Sequence, residues 1–361
     1  MVNKFKPLII KDVEIKIPII QGGMGVKVST ASLAAAVANC GGAGTIASVG
    51  LGYGNPEIET DYLKVSREAL RDEIRKAKAL TSGVVGVNIM VALTNYEDLV
   101  RISAEEGADF IVSGAGLPMK LPGFVKGTSI KLIPIVSSAK AAGIILKTWN
   151  RRYERFPDAF VVEGPLAGGH LGFKPEDLKP PKANSLEGLV VDVIKLVKEY
   201  EEKFKITIPV IAAGGIFDGA DVARFFKLGV QGVQMATRFV ATKECSVADK
   251  FKELYIKAKD EDLVIIDSPV GLPGRAIKTA FIEKMMRGEK TPIRCLYKCL
   301  ITCDPTKVPY CIAKALCNAS TGDLDNAVVF SGKNVSRIDR IVSVKELMDS
   351  IASEAVKELE K

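Results

Sequence analysis

Histidine and tryptophan occur only once each among the 361 residues. The single imidazole, at His170, is therefore the one side chain whose ordinary proton affinity suits exchange near neutral pH. One tryptophan, and the lack of any Lys/Arg block interleaved with aromatics, argue against nucleic acid, although 50 basic residues outnumber 43 acidic ones. The seven cysteines include no Cys-x-x-Cys pair and do not form an extracellular disulfide framework. Residues 28–56 lack charge, but Asn39, repeated glycine and small side chains leave this run too weakly apolar for a membrane span. At the start, Lys11 and Asp12 cut short the apolar triplet Leu8-Ile9-Ile10, so no signal-peptide core is expected. The expectation is a cytoplasmic chain without a membrane or nucleic-acid partner.

What is present is alternation. Short runs apolar on both faces appear at Ile17–Gln21, Ala43–Ser48, Val84–Met90, Phe110–Ser113, Leu132–Ser137, Ala159–Glu163, Ile208–Ala213 and Gly232–Thr237. Buried parallel strands read this way. Between them fall helical patterns at Ala31–Asn39, Asp61–Leu80, Lys140–Tyr153, Leu186–Phe204 and Asp218–Leu228. A further helix is expected to open on a capping box, Thr94-Asn-Tyr-Glu97, while 116–127 reads as loop. Eight βα units without the pause of a doubly wound sheet predict a (β/α)8 TIM barrel, followed by a Cys-containing helical tail. The expected division is a barrel over 1–240, a helical and loop segment over its mouth at 241–290, and a Cys-rich, helical extension at 291–361.

In such a barrel the chemistry gathers where strands end, and an anion commonly sits after strands seven and eight. Strand seven runs into Ala212-Ala213-Gly214-Gly215-Ile216 before Asp218, so bare backbone N–H groups meet a helix start. Strand eight ends in Gln234-Met235-Ala236-Thr237-Arg238, which adds a hydroxyl. Strand one ends in Gln21-Gly22-Gly23-Met24-Gly25, naked backbone against which a planar ring can lie. Asn88, the run Ser137-Ser138-Ala139-Lys140, and Glu163 close strands three, five and six, and His170 follows in Glu163-Gly-Pro-Leu-Ala-Gly-Gly-His170. Gly50-x-Gly52-x-Gly54 lacks the dinucleotide spacing and opens no helix at its last glycine.

These motifs resemble the FMN-dependent family that unites nitronate monooxygenases (formerly 2-nitropropane dioxygenases) with the flavin-type enoyl-ACP reductases. The resemblance spans roughly residues 10 to 285 and rests on Pro-Ile-Ile-Gln-Gly-Gly-Met-Gly, Gly-Val-Asn88, Ala-Gly-Gly-His170, Ala-Ala-Gly-Gly-Ile and Gln-Met-Ala-Thr-Arg-Phe. It implies FMN on a TIM barrel. Gly22, Gly23 and Met24 would line the ring system, Asn88 and Glu163 would bond it, and Lys140 would lie near it. Gly168, Gly214 and Gly215 would bind through backbone, and Gln234, Met235, Ala236 and Thr237 would close over the phosphate. His170 would be the catalytic acid or base. Many relatives carry Glu at the position of Leu166, and nitronate monooxygenases often carry Gln where Glu163 stands, as the enoyl reductases do not. The loop Ser268-Pro-Val-Gly-Leu-Pro-Gly-Arg275 approximates the family's Gly-Arg-Pro-Ala-Arg with one arginine lost.

The resemblance implies nitronate oxidation with O2 to a carbonyl compound and nitrite, with neutral imidazole removing the acidic C–H of a nitroalkane. A positioned general base is typically worth about 10²–10⁴-fold. The alternative is reduction of an enoyl thioester by NAD(P)H, where His170 would orient or protonate the thioester; a further alternative is a silent barrel binding a phosphorylated metabolite. Candidate macromolecular partners are a second copy, as a homodimer, and an acyl carrier protein meeting the basic stretch Lys147–Arg155. That stretch reads first as a solvated helix face and only second as a dock for an acidic partner. Cys295, Cys299 and Cys303 are spaced by four and would share one helix face, with Cys311 and Cys317 beyond. Four thiolates suit zinc or an iron–sulfur cluster, but the spacing matches no common motif, and thiols without a metal are expected.

Overall fold

The computed structural model describes residues 5–178, 185–295 and 297–361. The expected amino-terminal stretch therefore lies partly outside the described residues. The chain opens with a hairpin, β1 (Leu8–Ile10) and β2 (Val13–Ile15), before β3 (Ile19–Gln21), α1 (Ala31–Asn39), β4 (Ala43–Ala47), α2 (Tyr62–Leu80) and β5 (Val84–Met90). There follow α3 (Tyr96–Glu105), β6 (Phe110–Gly114), the single turn α4 (Leu121–Phe124), β7 (Lys131–Val136), α5 (Ala139–Tyr153) and β8 (Phe160–Glu163). After the two-residue strand β9 (Gly169–His170) come α6 (Leu186–Phe204), β10 (Val210–Ala213), α7 (Gly219–Lys227) and β11 (Gly232–Met235).

Strands β3, β4, β5, β6, β7, β8, β10 and β11 close into a parallel barrel, the last pairing with the first through Val233↔Ile19 and Met235↔Gln21. Each expected strand forms. Two features at the barrel's ends were not visible in the sequence. The hairpin plugs the base, where Leu8, Ile10 and Ile15 join barrel-interior residues such as Phe110, Val161 and Ile211 in one buried cluster. The capping box expected at Thr94 and Glu97 does not form: α3 has Asn95 at its N-cap without a side-chain bond, and the Thr94 N–H donates instead to the Cys299 carbonyl. A tertiary acceptor outcompetes the local one. Asp61, Ser138, Ser185 and Asp218 do cap α2, α5, α6 and α7, each side chain accepting a first-turn N–H. The one tryptophan, Trp149 on α5, is fully buried and donates to the Pro118 carbonyl at 3.1 Å.

Beyond β11 the chain makes a long excursion: α8 (Thr237–Val240), α9 (Asp249–Lys257), β12 (Leu263–Asp267), β13 (Pro273–Ile277), α10 (Ala280–Met286), α11 (Ile312–Thr321) and β14 (Val329–Phe330). It ends in α12 (Val344–Leu359), which opens with a capping box between Ser343 and Glu346. This last helix packs against α7 and α1, where a barrel's eighth helix belongs. Within the segment expected as an extension over 291–361, this helix lies on the barrel wall. Antiparallel pairing of β12, β14 and β9 with β13 makes a small sheet that ties the His170 loop to the excursion. Among the described residues no helix is long and apolar enough to cross a membrane.

Candidate active site

The strand ends and the excursion enclose a cavity of ≈ 630 Å³, within the range of small-molecule and cofactor sites. Gly22, Gly23, Met24, Asn88, Glu163, Gly168, His170, Gly214, Gly215, Gln234, Met235, Ala236 and Thr237 all line it. Lys140 does not: it lies exposed near the start of α5, outside the cavity wall. The resemblance placed it near the ring, but the Ser138 cap fixes the entry of α5 so that residue 140 emerges on the solvent side. Ser137 and Ser138 take the wall position instead.

His170 is held from two directions. Its backbone strand pairs Gly274↔His170 and Arg275↔Gly169, and its Nε2 lies 2.8 Å from the Ser268 Oγ. The Phe330 ring packs edge-on at 4.9 Å. Burial pushes the imidazole down to about 4, so it is neutral at pH 7. The same burial pushes the Glu163 carboxyl up to about 8, which keeps it protonated there. No hydrogen bond joins either the Glu163 or the Asn88 side chain to another described residue, and Gln234 Oε1 is buried without a partner. Polar groups without a protein partner in one chamber are available to a ligand.

The strand-one loop approaches so closely that a Cβ on Gly23 would sit 2.3 Å from the Asn88 Cβ. At the other end, Gly214 and Gly215 both adopt φ +91°, a left-handed conformation that favours glycine. The N–H groups of Gly215 and Ile216 make no hydrogen bond to any described residue. The helix start behind them is already spent. Asp218 Oδ1 accepts from Asp221 N at 2.9 Å and Glu354 Oε2 from Gly219 N at 2.9 Å. The anion cradle expected from the α7 terminus therefore reduces to the glycine turn and the end of β11.

Several walls come from outside the motifs. Arg275 is 7% exposed and donates to the Pro165 and Ala167 carbonyls at 2.7 and 2.6 Å, bracing the His170 loop. Ser331, Gly332, Lys333 and Asn334 cross the cradle, and Tyr53, Tyr62, Leu300, Ile312, Ala313 and Leu316 form an apolar wall on the side of β4 and β5. The Leu93↔Leu300 bridge brings that wall in. Contacts at such sequence distance leave no local signal.

The cysteine expectation needs correction: the segment around Cys295, Cys299 and Cys303 is not helical, so the three share no helix face. The cysteines are free, and among the described residues no three His, Cys, Asp or Glu side chains are placed to hold a metal ion. Cys299 lines the cavity with its thiol pushed up to about 12, chiefly by burial. In the basic stretch, Lys147, Arg151 and Arg152 are exposed, whereas Arg155 is tied to Asp158 at 3.0 Å.

A family model described as nitronate monooxygenase matches residues 6–354, reaching into α12. A Staphylococcus aureus (strain Newman) relative named "Probable nitronate monooxygenase" is 31% identical over 313 residues, 76% of this chain and 79% of that one. A Mycobacterium tuberculosis 5-hydroxy-7a-methyl-1-oxo-octahydro-1H-indene-4-carboxyl-CoA dehydrogenase is 31% identical over 273 residues, 76% of this chain but 66% of the relative's own length. Among solved structures, FabK from Thermotoga maritima superposes with a TM-score of 0.74 at 31% identity, covering 96% of this chain and 94% of that one. A nitroalkane oxidase from Streptomyces ansochromogenes, at 19% identity and a TM-score of 0.73 over 95% of this chain and 96% of that one, shares the fold.

Proposed function

Because the chain belongs to the nitronate monooxygenase family of oxidoreductases, we propose that it binds FMN and oxidises alkyl nitronates with O2, with His170 as the base that admits the parent nitroalkanes. The observation that carries this reading is a shared chamber: the lone imidazole, the unpaired Asn88 and Glu163 side chains and the open glycine-turn N–H groups border one cavity. The residues present fit the cofactor. Gly22, Gly23 and Met24 offer flat backbone to a ring, and Asn88 and Glu163 offer amide and carboxylic acid groups to its polar edge. Gly168, Gly214, Gly215 and Gln234 to Thr237 would hold the phosphate end. When bound, the flavin would supply the two-electron redox chemistry that side chains lack.

The chain's own part is proton handling and positioning. A neutral imidazole can accept a carbon-bound proton, and the hydrogen bond to Ser268 fixes the ring's angle. Burial makes the imidazolium costly, but the nitronate formed beside it is an anion, and an opposite charge within about 4–6 Å offsets that cost. The apolar wall of Tyr53, Tyr62, Leu300, Ile312, Ala313 and Leu316 would limit water beside a bound substrate.

The test is a substrate split. Wild-type protein should release nitrite from both a nitroalkane and its preformed nitronate. H170N should lose about 10²–10⁴-fold on the nitroalkane while keeping bound FMN and most nitronate activity. Equal losses on both substrates, or none, would overturn the assignment of His170.

The apolar wall favours a second reading, reduction of an enoyl thioester by NAD(P)H, with His170 orienting the thioester carbonyl. NADH or NADPH oxidation that depends on crotonyl thioester under anaerobic conditions, without nitrite production from nitronates, would replace the first reading by this one. An acyl carrier protein, docking on Lys147, Arg151 and Arg152, belongs to that outcome alone.

A further inference from the structure

The segment Ser331–Asn334 lies across the glycine turn, although 119 residues separate Gly215 from Asn334. Asn334 Nδ2 donates to the Gly215 carbonyl at 2.7 Å, Gly332 N donates to Thr237 Oγ1 at 3.0 Å, and Lys333 N donates to the Leu166 carbonyl at 3.0 Å. Resting on the flavin reading above, we infer that Gly332 and Asn334 are positioning residues that aim the barrel's donors at the flavin phosphate.

A trans peptide is planar, so its C=O and N–H point in opposite directions. Holding the Gly215 carbonyl therefore also fixes the direction of the Ile216 N–H, which has no acceptor among the described residues. Thr237 works by subtraction. A hydroxyl carries one proton to give and two lone pairs to receive. The Gly332 N–H occupies a lone pair, and no described residue accepts the Thr237 proton. That proton remains for an anion. Residue 332 has little room to change, since a Cβ there would lie 2.8 Å from Thr237 Oγ1.

Charge plays a smaller part than alignment. Lys333 pairs with Asp260 at 3.4 Å, and Arg337 with Asp218 at 2.5 Å. Arg238 stacks on Phe217, 4.2 Å from guanidinium carbon to ring centroid, and donates to the Phe217 carbonyl. Lys333, Arg337 and Arg238 are thus engaged, and the cradle recognises its anion with oriented dipoles, as backbone nests do.

The experiment compares two flavins that differ only in the phosphate. Full-length protein freed of flavin is titrated with FMN and with riboflavin, following quenching of flavin fluorescence. Asn334→Ala should weaken FMN binding about fivefold to tenfold, the worth of one oriented hydrogen bond, and leave riboflavin binding unchanged. Gly332→Ala should do the same by displacing the Thr237 hydroxyl; if that variant does not fold, N334A decides alone. Equal weakening for both flavins, or no change for FMN, overturns the inference while the flavin reading stands. Wild-type protein that binds neither flavin overturns both.

Discussion

Arg275 offers the sharpest test of how the excursion supports the site. Its guanidinium is 7% exposed and spends two short bonds, 2.7 and 2.6 Å, on the carbonyls of Pro165 and Ala167. Those carbonyls belong to the loop that carries His170. Hydrogen bonds from a charged donor are worth about 1.5–3 kcal/mol each, and a buried carbonyl left unpaired costs about 1–3 kcal/mol. Against this stands the cost of burying the guanidinium itself, visible as its depressed proton affinity; a neutral substitute recovers that part. The balance for Arg275→Met is a loss of about 2–4 kcal/mol, on the order of 10²-fold in the folding equilibrium. Arg275→Lys, a point charge without the planar fork, should retain part of it. Urea denaturation of the wild-type and both variants measures the loss, and turnover of the folded variants should fall because the imidazole loses its brace. An R275M midpoint matching the wild-type, with unchanged turnover, would refute the claim that this arginine holds the loop.

In flavin-free protein, Glu163 should make stability fall as pH rises. Its folded value of about 8 lies above the ordinary carboxyl value of 4.5, so between these the folded state holds the extra proton and each pH step favours unfolding. Glu163→Gln should flatten that slope in denaturation midpoints measured from pH 4.5 to 8, and an unaltered slope would contradict it. Gly23→Ala drives a methyl to within 2.3 Å of the Asn88 Cβ; overpacking of this kind costs about 1–3 kcal/mol and should empty the purified protein of flavin, as absorbance would record. Lys140→Ala, by contrast, should leave FMN affinity as it is, because the side chain is exposed and off the cavity wall. A large rise in its dissociation constant would restore the role that the family resemblance gave it.

The local pattern carried the barrel. Strands such as Val84–Met90 are apolar on both faces because helices cover them outside and side chains fill them inside, and that requirement is written residue by residue. The same holds for the glycine turns at strands one and seven, where steric demand leaves few alternatives. Other local signals failed where a distant group competed. The Thr94 capping box gave way to a bond with Cys299, and the four-residue cysteine spacing, which would align thiols on a helix, falls where no helix forms among the described residues.

Sequence alone thus determined the period, the strand count and the end of the cylinder at which polar groups gather, since each depends on near neighbours along the chain. Folding in three dimensions decided what stands beside what. Ser268 meets His170 across 98 residues, Asn334 meets Gly215 across 119, and α12 comes back to seal the wall between α7 and α1. Such pairings are set by which surfaces remain unburied once the barrel closes, and no window along the sequence contains both partners.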